Sequence, residues 1–479
     1  MVSDETWRLL FDPDSVAVIG ASDRPGSWGQ RIMRSLLYPK NRKIYAVNPT
    51  SPEVAGLKTY KSITDIPDPV ELGVIVVQAP LVADAMRDCV KKGIKAAVVI
   101  AGGFTETGEE GAVMEAEVIK IAESGGIKFI GPNTMGHLDA STLLNTVSFL
   151  EKTTPGEAAL ISQSGNMGTR IMQIARGYGI GFNKFVCCGN EASIRLEDYL
   201  EYFAKDPGTK LIVLYMEGLR DAKRFIKVAR EITVKKPIIA MKSGATEVSK
   251  RASRSHTGAI AGSNAVYTAA FKQAGVIRVQ YDDELCDTAL ALLNLPLPEG
   301  NRVGILTMGG GLGVVAAEAC ENAGLNVADL EQKSIEKLNE LLPDRWSKAN
   351  PVDLVGSNLA HGGDILQALW ILLEDKNLDA IVANTWLGRN YNDPRAPRGV
   401  IDSNDKNRSE EENVRKFRER VGEYGKPLIM VGSPPQSEQD INSYLLFHKE
   451  GFLVCPQPYR AAMALNHANW YRQYLESRK

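Results

Sequence analysis

Short runs of consecutive apolar residues alternate along this chain with longer stretches whose apolar positions recur every three or four residues. The run "SVAVIGA" (15–21) ends in a glycine turn, and "SWGQRIMRSLL" behind it has helical spacing, so a strand, a turn and a helix are predicted. The alternation continues through "KIYAVNP", "ELGVIVVQAP", a helix over about 81–92, "KAAVVIAGGF", a helix over about 110–124, and "IKFIGPN". Apolar strands joined by helical crossovers predict a parallel sheet covered on both faces, the doubly wound α/β arrangement.

After "GPNTMG" a second series begins. It reads "AALISQSGNMG" and a helix, "FNKFVCCGN" and a helix, "LIVLYMEGL" and a helix, then "KPIIAMKSG", a histidine-bearing loop and another helix. The peptide "NLPLPEGN" (294–301), with two prolines and a glycine, has linker composition. Beyond it "RVGILTMGGGLG", "LDAIVANTW" and "KPLIMVGS" make a third α/β series, and residues 388–413 read as a long loop. The expected fold is therefore α/β with three doubly wound parallel-sheet domains, Rossmann-like or flavodoxin-like.

Length and composition agree with several domains. A chain of 479 residues exceeds one ordinary core. Lys and Arg total 56 against 58 Asp and Glu, with no long basic run, which argues against sequence-independent nucleic-acid binding. Six cysteines (Cys89, Cys187, Cys188, Cys286, Cys320, Cys455) lack C-x-x-C spacing and read as buried thiols in a reducing compartment. The start "MVSDETWRLLFDPDS" has no apolar leader and no run approaches a membrane span, so a cytoplasmic protein with no membrane partner is expected.

Three strand-to-helix turns are candidate anion sites, because a helix start offers unpaired N–H groups and a positive dipole end. "IGASDRPGSWG" lacks strict G-x-G-x-x-G spacing, and "YAVNP" supplies no acid for a nicotinamide-cofactor ribose. An adenine-nucleotide ligand of another kind is favoured there over NAD and over a bland packing turn. "SQSGNMG" (162–168) can cradle a phosphoryl group or serve as an ordinary serine cap. "MGGGLG" (308–313) reads equally as a tight turn or a ligand site, and no P-loop motif occurs.

Of the five histidines, His137, His361, His448 and His467 read as structural. His256 differs. It lies in "KRASRSHTGAIAGSNA" among small residues that leave room for a bulky group on the ring, downstream of Lys250, Arg251 and Arg254. No second His or Cys stands at ligand spacing, so no metal site is expected. A neutral imidazole is a competent nucleophile near neutral pH, and a carboxylate on its other nitrogen would stabilise the charged product. Glu217, ending the apolar run "LIVLYMEG", is the candidate for that acid, a helix cap being its bland alternative. His256 thus reads as a phosphate carrier served by the 162–168 turn.

Taken in order, "VAVIGAS", "YAVNP", "FIGPNTMG", "LISQSGNMG", "CCGNEAS", "LYMEG", "SHTGAIAGS" and "NPVDL" resemble the alpha subunit of NDP-forming acyl-CoA synthetases, typified by ADP-forming acetate–CoA ligase, in the succinyl-CoA synthetase superfamily. The resemblance implies a CoA-binding domain (1–128), a flavodoxin-like domain carrying a phosphohistidine (129–295) and a third ligase-type domain (300–479). It also implies a separate ATP-grasp beta subunit holding ATP or ADP with Mg2+, in an alpha2beta2 assembly. Phosphate, CoA and a small carboxylic acid are the other reactants.

Carried over by residue, the resemblance assigns CoA phosphates to Gly20, Ala21, Ser22, Arg24, Pro25, Asn48 and Pro49. Gln78, Ala79, Pro80, Gly102 and Gly103 would line the rest of the CoA groove, and Gly131, Pro132, Asn133 and Thr134 the acyl group. Ser164, Gly165 and Asn166 would hold the phosphoryl group on His256, with Glu217 as stabilising acid. Thr134 stands where relatives commonly have cysteine, and Asn166 and Met167 where small residues are usual, which alters the expected acyl pocket. The implied reaction is acyl-CoA + ADP + phosphate = carboxylate + CoA + ATP. Its alternatives are a succinate- or citrate-type CoA ligase subunit and a non-catalytic CoA-sensing module.

Overall fold

The computed structural model describes residues 2–147, 154–244, 246, 248, 264–354, 363–384, 409–432 and 438–479. The chain divides into two compact units, Met1–Arg176 with Gly181–Gln280, and Gly177–Ile180 with Tyr281–Lys479.

The first unit opens with helix α1 (Asp4–Phe11), started by Ser3, whose hydroxyl accepts the Thr6 N–H at 3.2 Å. Its first sheet contains β1 (Ser15–Ile19), β2 (Lys43–Val47), β3 (Glu53–Val54), β4 (Leu57–Tyr60), β5 (Leu72–Ile75), β6 (Ala96–Val99) and β7 (Lys128–Ile130), ordered β3-β4-β2-β1-β5-β6-β7. Only the β3–β4 hairpin is antiparallel. Every residue of β1, β5 and β6 is buried, which is why these strands read as unbroken apolar runs. The crossovers include α2 (Trp28–Leu37), α3 (Ala79–Lys92) and α4 (Glu109–Gly125).

A second sheet belongs to the same unit. Its strands are β8 (His137–Asp139), β9 (Leu144–Asn145), β10 (Ala158–Ser162), β11 (Phe182–Cys187), β12 (Leu211–Met216), β13 (Ile238–Lys242) and β14 (Val276–Val279), ordered β14-β13-β12-β10-β11-β8-β9. The five parallel strands run β11-β10-β12-β13-β14, the flavodoxin-like order, so the winding reverses between β10 and β12. In the first sheet the corresponding reversal lies between β1 and β5. Helix α5 (Gly165–Gly177) follows β10.

One apolar core serves both sheets. Trp7 of α1 stacks on Tyr202 at 4.5 Å, Phe11 meets the His137 ring edge-on at 5.1 Å, and the same buried cluster extends to Phe225 and Phe271. That shared interior explains why the two sheets form a single compact unit.

The second unit carries β15 (Arg302–Thr307), β16 (Asn326–Val327), β17 (Val352–Asp353), β18 (Ala380–Asn384), β19 (Leu428–Val431) and β20 (Leu453–Cys455), ordered β16-β15-β18-β19-β20 with β17 also on β15. All pairings are parallel. The expected loop at 388–413 needs correction at its end. Residues 388–408 lie outside the described residues, but Glu410 to Asn413 form the first turn of a helix, Glu410–Gly422, capped by Ser409. Three glutamates at the helix start complement its dipole and mark where the helix begins. All six cysteines are free and buried, and burial pushes the Cys89 thiol up to about 12.

Candidate active site

The carboxyl ends of strands from both sheets of the first unit meet at one cleft of about 560 Å³. Gly20 and Ser22 after β1, Gln78 after β5, Gly102 after β6, Asn133 and Thr134 after β7, and Ser164, Gly165 and Asn166 after β10 all line it, as does Arg24. Ten residues singled out in the sequence are therefore brought together. Ala21, Pro25, Asn48, Pro49, Ala79, Pro80, Gly103, Gly131, Pro132 and Glu217 are not part of its lining. His256 lies outside the described residues, in the stretch between β13 and the helix Asn264–Ala274.

The first wall is built by the β1 turn. Gly20 has φ +97°, a conformation that a side chain would strain, and its N–H reaches Val47 O at 3.0 Å. Asn48, outside the lining, ties two loops together. Its Nδ2 donates to Ala21 O at 2.8 Å while its Oδ1 accepts the N–H groups of Thr50 and Ser51 at 2.8 and 3.0 Å. The Ser22 hydroxyl accepts the Arg24 N–H at 3.1 Å, and exposed Arg24 supplies a positive charge to the rim.

Two helix starts converge on this space. Trp28 and Gly29 of the first turn of α2 line the cleft, as do Gly165 and Asn166 of the first turn of α5. In α5 the first intrahelical bond runs from Gly168 N–H to Ser164 O at 2.9 Å, so the amides of Gly165, Asn166 and Met167 precede it. Together with Arg24 these dipole ends suit an anionic ligand.

The β6 turn behaves otherwise. The Glu106 carboxylate accepts the N–H groups of Gly103 and Phe104 at 2.5 and 3.1 Å, and its other oxygen accepts Asn190 Nδ2 at 2.6 Å. Burial opposes its ionisation, but these hydrogen bonds outweigh it and hold the carboxyl below its usual range. The Gly103 amide is thus already engaged. Asn190 Oδ1 in turn accepts from Asn133 Nδ2 at 3.3 Å, and buried Thr134 donates to Cys187 O at 2.5 Å.

Glu217 stands one residue beyond β12, across the winding reversal from the Ser164 turn. Gln163 joins the two sides. Its Oε1 accepts the N–H groups of Glu217 and Gly218 at 2.6 and 3.0 Å, and its Nε2 donates to Gly218 O and to Glu191. Tyr267 Oη accepts the Leu219 N–H at 3.1 Å, and Lys242 Nζ lies 4.6 Å from the Tyr267 ring centre. Burial lowers the Lys242 ammonium to about 8, with help from Arg278 and against the charge of Glu217.

Gln163, Trp28, Val76, Val77, Ile100 and Met135 also line the cleft, although the sequence assigns none of them a ligand role. Gln163, Trp28 and Met135 lie inside quoted turns, and Val76, Val77 and Ile100 lie one or two residues before Gln78 and Gly102, so proximity to those turns is their only signal. Among the described residues no group of three or more His, Cys, Asp or Glu could hold a metal ion, and no helix is long and apolar enough to cross a membrane.

Residues 14–139 match the model of a CoA binding domain, and residues 155–292 that of a succinyl-CoA ligase like flavodoxin domain. The chain is 43% identical over 374 residues to the alpha subunit of acetate–CoA ligase [ADP-forming] II of Pyrococcus furiosus, covering 78% of this chain and 81% of that one. To the alpha subunit of the isozyme I from the same organism it is 39% identical over 466 residues, 96% of each chain. Among solved structures, the dinucleotide forming acetyl-coenzyme A synthetase 1 of Ca. Korarchaeum cryptofilum, in complex with phosphate and ADP, superposes with a TM-score of 0.85 at 32% identity, covering 98% of both chains.

Proposed function

Because the chain belongs to the family of ADP-forming acetate–CoA ligase alpha subunits, we propose that it interconverts acyl-CoA and an acyl phosphate in the cleft of its first unit and passes the phosphoryl group to a partner through His256. It is the alpha subunit of an ADP-forming acyl-CoA synthetase, a ligase, and CoA, phosphate and nucleotide take part in its reaction. The observation that carries the reading is the convergence of Arg24, the α2 start and the Ser164–Asn166 turn on one cleft.

In this reading residues 1–128 bind CoA, with its phosphates toward Gly20, Ser22 and Arg24. Phosphate held at Ser164, Gly165 and Asn166 attacks the thioester carbonyl. The carbon–sulfur bond breaks, CoA thiolate leaves and takes up a proton, and an acyl phosphate remains. The His256 imidazole then attacks phosphorus and the carboxylate departs. The phosphoryl group ends on ADP, held with Mg2+ by an ATP-grasp beta subunit in an alpha2beta2 complex. Fixed amide dipoles at the helix starts offset the charge developing on the phosphoryl oxygens, which is where phosphoryl transfer needs most help. Residues 129–295 would supply this machinery, residues 300–479 the third ligase domain, and the cytoplasm the setting.

The test is transfer of label. Incubated with its beta partner and γ-labelled ATP, the chain should acquire acid-labile, base-stable label that His256→Ala abolishes and that added ADP discharges. Label surviving in the His256→Ala variant would refute the carrier role.

A further inference from the structure

The backbone ladder between β10 and β12 ends at Ser162 opposite Tyr215, yet the two chains remain joined beyond it. Gln163 N–H reaches Tyr215 O at 3.1 Å, and the Gln163 side chain then takes the place of a further peptide group. Its oxygen receives two N–H groups, from Glu217 and Gly218, and its nitrogen gives two, to Gly218 O at 2.9 Å and Glu191 Oε1 at 2.6 Å. Both lone-pair directions and both hydrogens are used, so the amide is saturated.

Its orientation is also locked. Turning the amide over would aim its oxygen at the Glu191 carboxylate and at a carbonyl, an acceptor against two acceptors. Glu191 cannot turn away, because it is 5% exposed and its other oxygen accepts the Leu196 N–H at 3.1 Å. A buried carboxylate therefore fixes one amide, which in turn fixes the backbone of Glu217 and Gly218. Gln163 immediately precedes Ser164, so the same residue borders the phosphate turn and lines the cleft.

We propose that Gln163, held by Glu191, is the positioning residue that keeps Glu217 in register with the Ser164–Asn166 turn. The proposal rests on the reading of Glu217 as the acid that steadies the phosphorylated imidazole. Gln163 touches no reacting atom in it. Its effect is on the rate of phosphoryl transfer and not on the affinity for CoA, whose expected phosphate contacts lie on the β1 turn.

The test uses the full chain with its beta partner, labelled ATP, and equilibrium titration with CoA. Gln163→Met keeps the volume and removes all four bonds; it should slow phosphoenzyme formation by about tenfold or more while CoA affinity stays within about twofold, since small misplacements at a reacting centre carry that cost. Gln163→Glu sets two carboxylates against each other and should be slower still. Adding Glu191→Gln to Gln163→Glu reverses donor and acceptor between the two side chains and leaves an oxygen for Leu196 N–H, while the Gly218 carbonyl still faces an oxygen, so the pair should regain part of the lost rate. This rescue needs no comparison with Gln163→Met and stands if that variant fails to fold. Wild-type rates in Gln163→Met, equal losses of CoA affinity and rate, or a double variant no faster than Gln163→Glu would each overturn the role of Gln163. A wild-type chain that takes no label would instead remove the carrier reading itself and this role with it.

Discussion

Gly29, in the first turn of α2, lies so close to Gly20 that a Cβ on Gly29 would stand 2.3 Å from the Gly20 carbonyl oxygen. The obstacle is backbone, which cannot swing aside as a side chain can. Gly29→Ala should therefore push the α2 start away from the β1 turn, costing about 1–3 kcal/mol of stability by overpacking. Affinity for CoA should fall with it. Gly177→Ala is the control, since nothing lies within 4 Å of the added methyl and no left-handed backbone is involved. Urea unfolding and titration calorimetry of both variants check the expectation.

Arg24 carries the charge at the cleft rim, and its contribution should be visible in salt. Arg24→Ala is expected to weaken CoA binding about tenfold at low ionic strength, the worth of one charge-assisted hydrogen bond. Because exposed charges are screened, the wild-type affinity should decline with added salt more steeply than that of the variant. Parallel slopes at two or more salt concentrations would show that Arg24 makes no contact with the ligand.

The doubly wound plan was readable because β1, β5, β6, β10 and β12 are buried along their whole length and so leave uninterrupted apolar runs. Shorter elements left no such trace. The β3–β4 hairpin has only one fully buried residue, and β8 and β9, with three and two residues, are too brief to show a period, although they add two antiparallel strands to the second sheet. Apolar spacing also records that a helix is covered without saying by what. At the site, glycine turns announced themselves by composition. The bonds by which Asn48, Glu106 and Gln163 tie one turn to another did not, because those partners stand 27, 84 and 54 residues away.

The helix Asp282–Asn294 shows what spacing leaves open. It joins the second unit, where Asp287 receives a two-pronged contact from Arg460, with Nε at 2.6 Å and Nη2 at 2.8 Å. Arg460 also donates to Tyr178 Oη at 2.6 Å. Asp287 is 1% exposed, so Arg460→Met strands a buried carboxylate and should cost about 3–5 kcal/mol. Replacing both, as in R460M/D287L, should restore most of that loss, because no uncompensated charge remains. A double-mutant cycle in denaturant gives the coupling directly, and additive single effects would contradict a coupled pair.

Acid should unfold the first unit partly through His137. Its ring is wholly buried, with Nε2 2.6 Å from Leu10 O and Nδ1 3.0 Å from the Thr146 hydroxyl, and burial lowers it to about 4. The unfolded chain, with an ordinary imidazole near 6.5, takes up the proton first as pH falls. Stability is therefore complete above about 6.5 and is lost as pH drops from there toward 4, at about 1.4 kcal/mol per pH unit for one such group. His448, buried in the second unit and lowered to about 4 chiefly by burial, adds the same sign of dependence there. His137→Gln should lower stability at neutral pH, since its hydrogen bonds are disturbed, yet flatten the pH dependence of first-unit unfolding between 6.5 and 4. Unfolding free energies of wild type and variant across that window separate the two effects, and identical slopes would mean that His137 takes up its proton equally in both states.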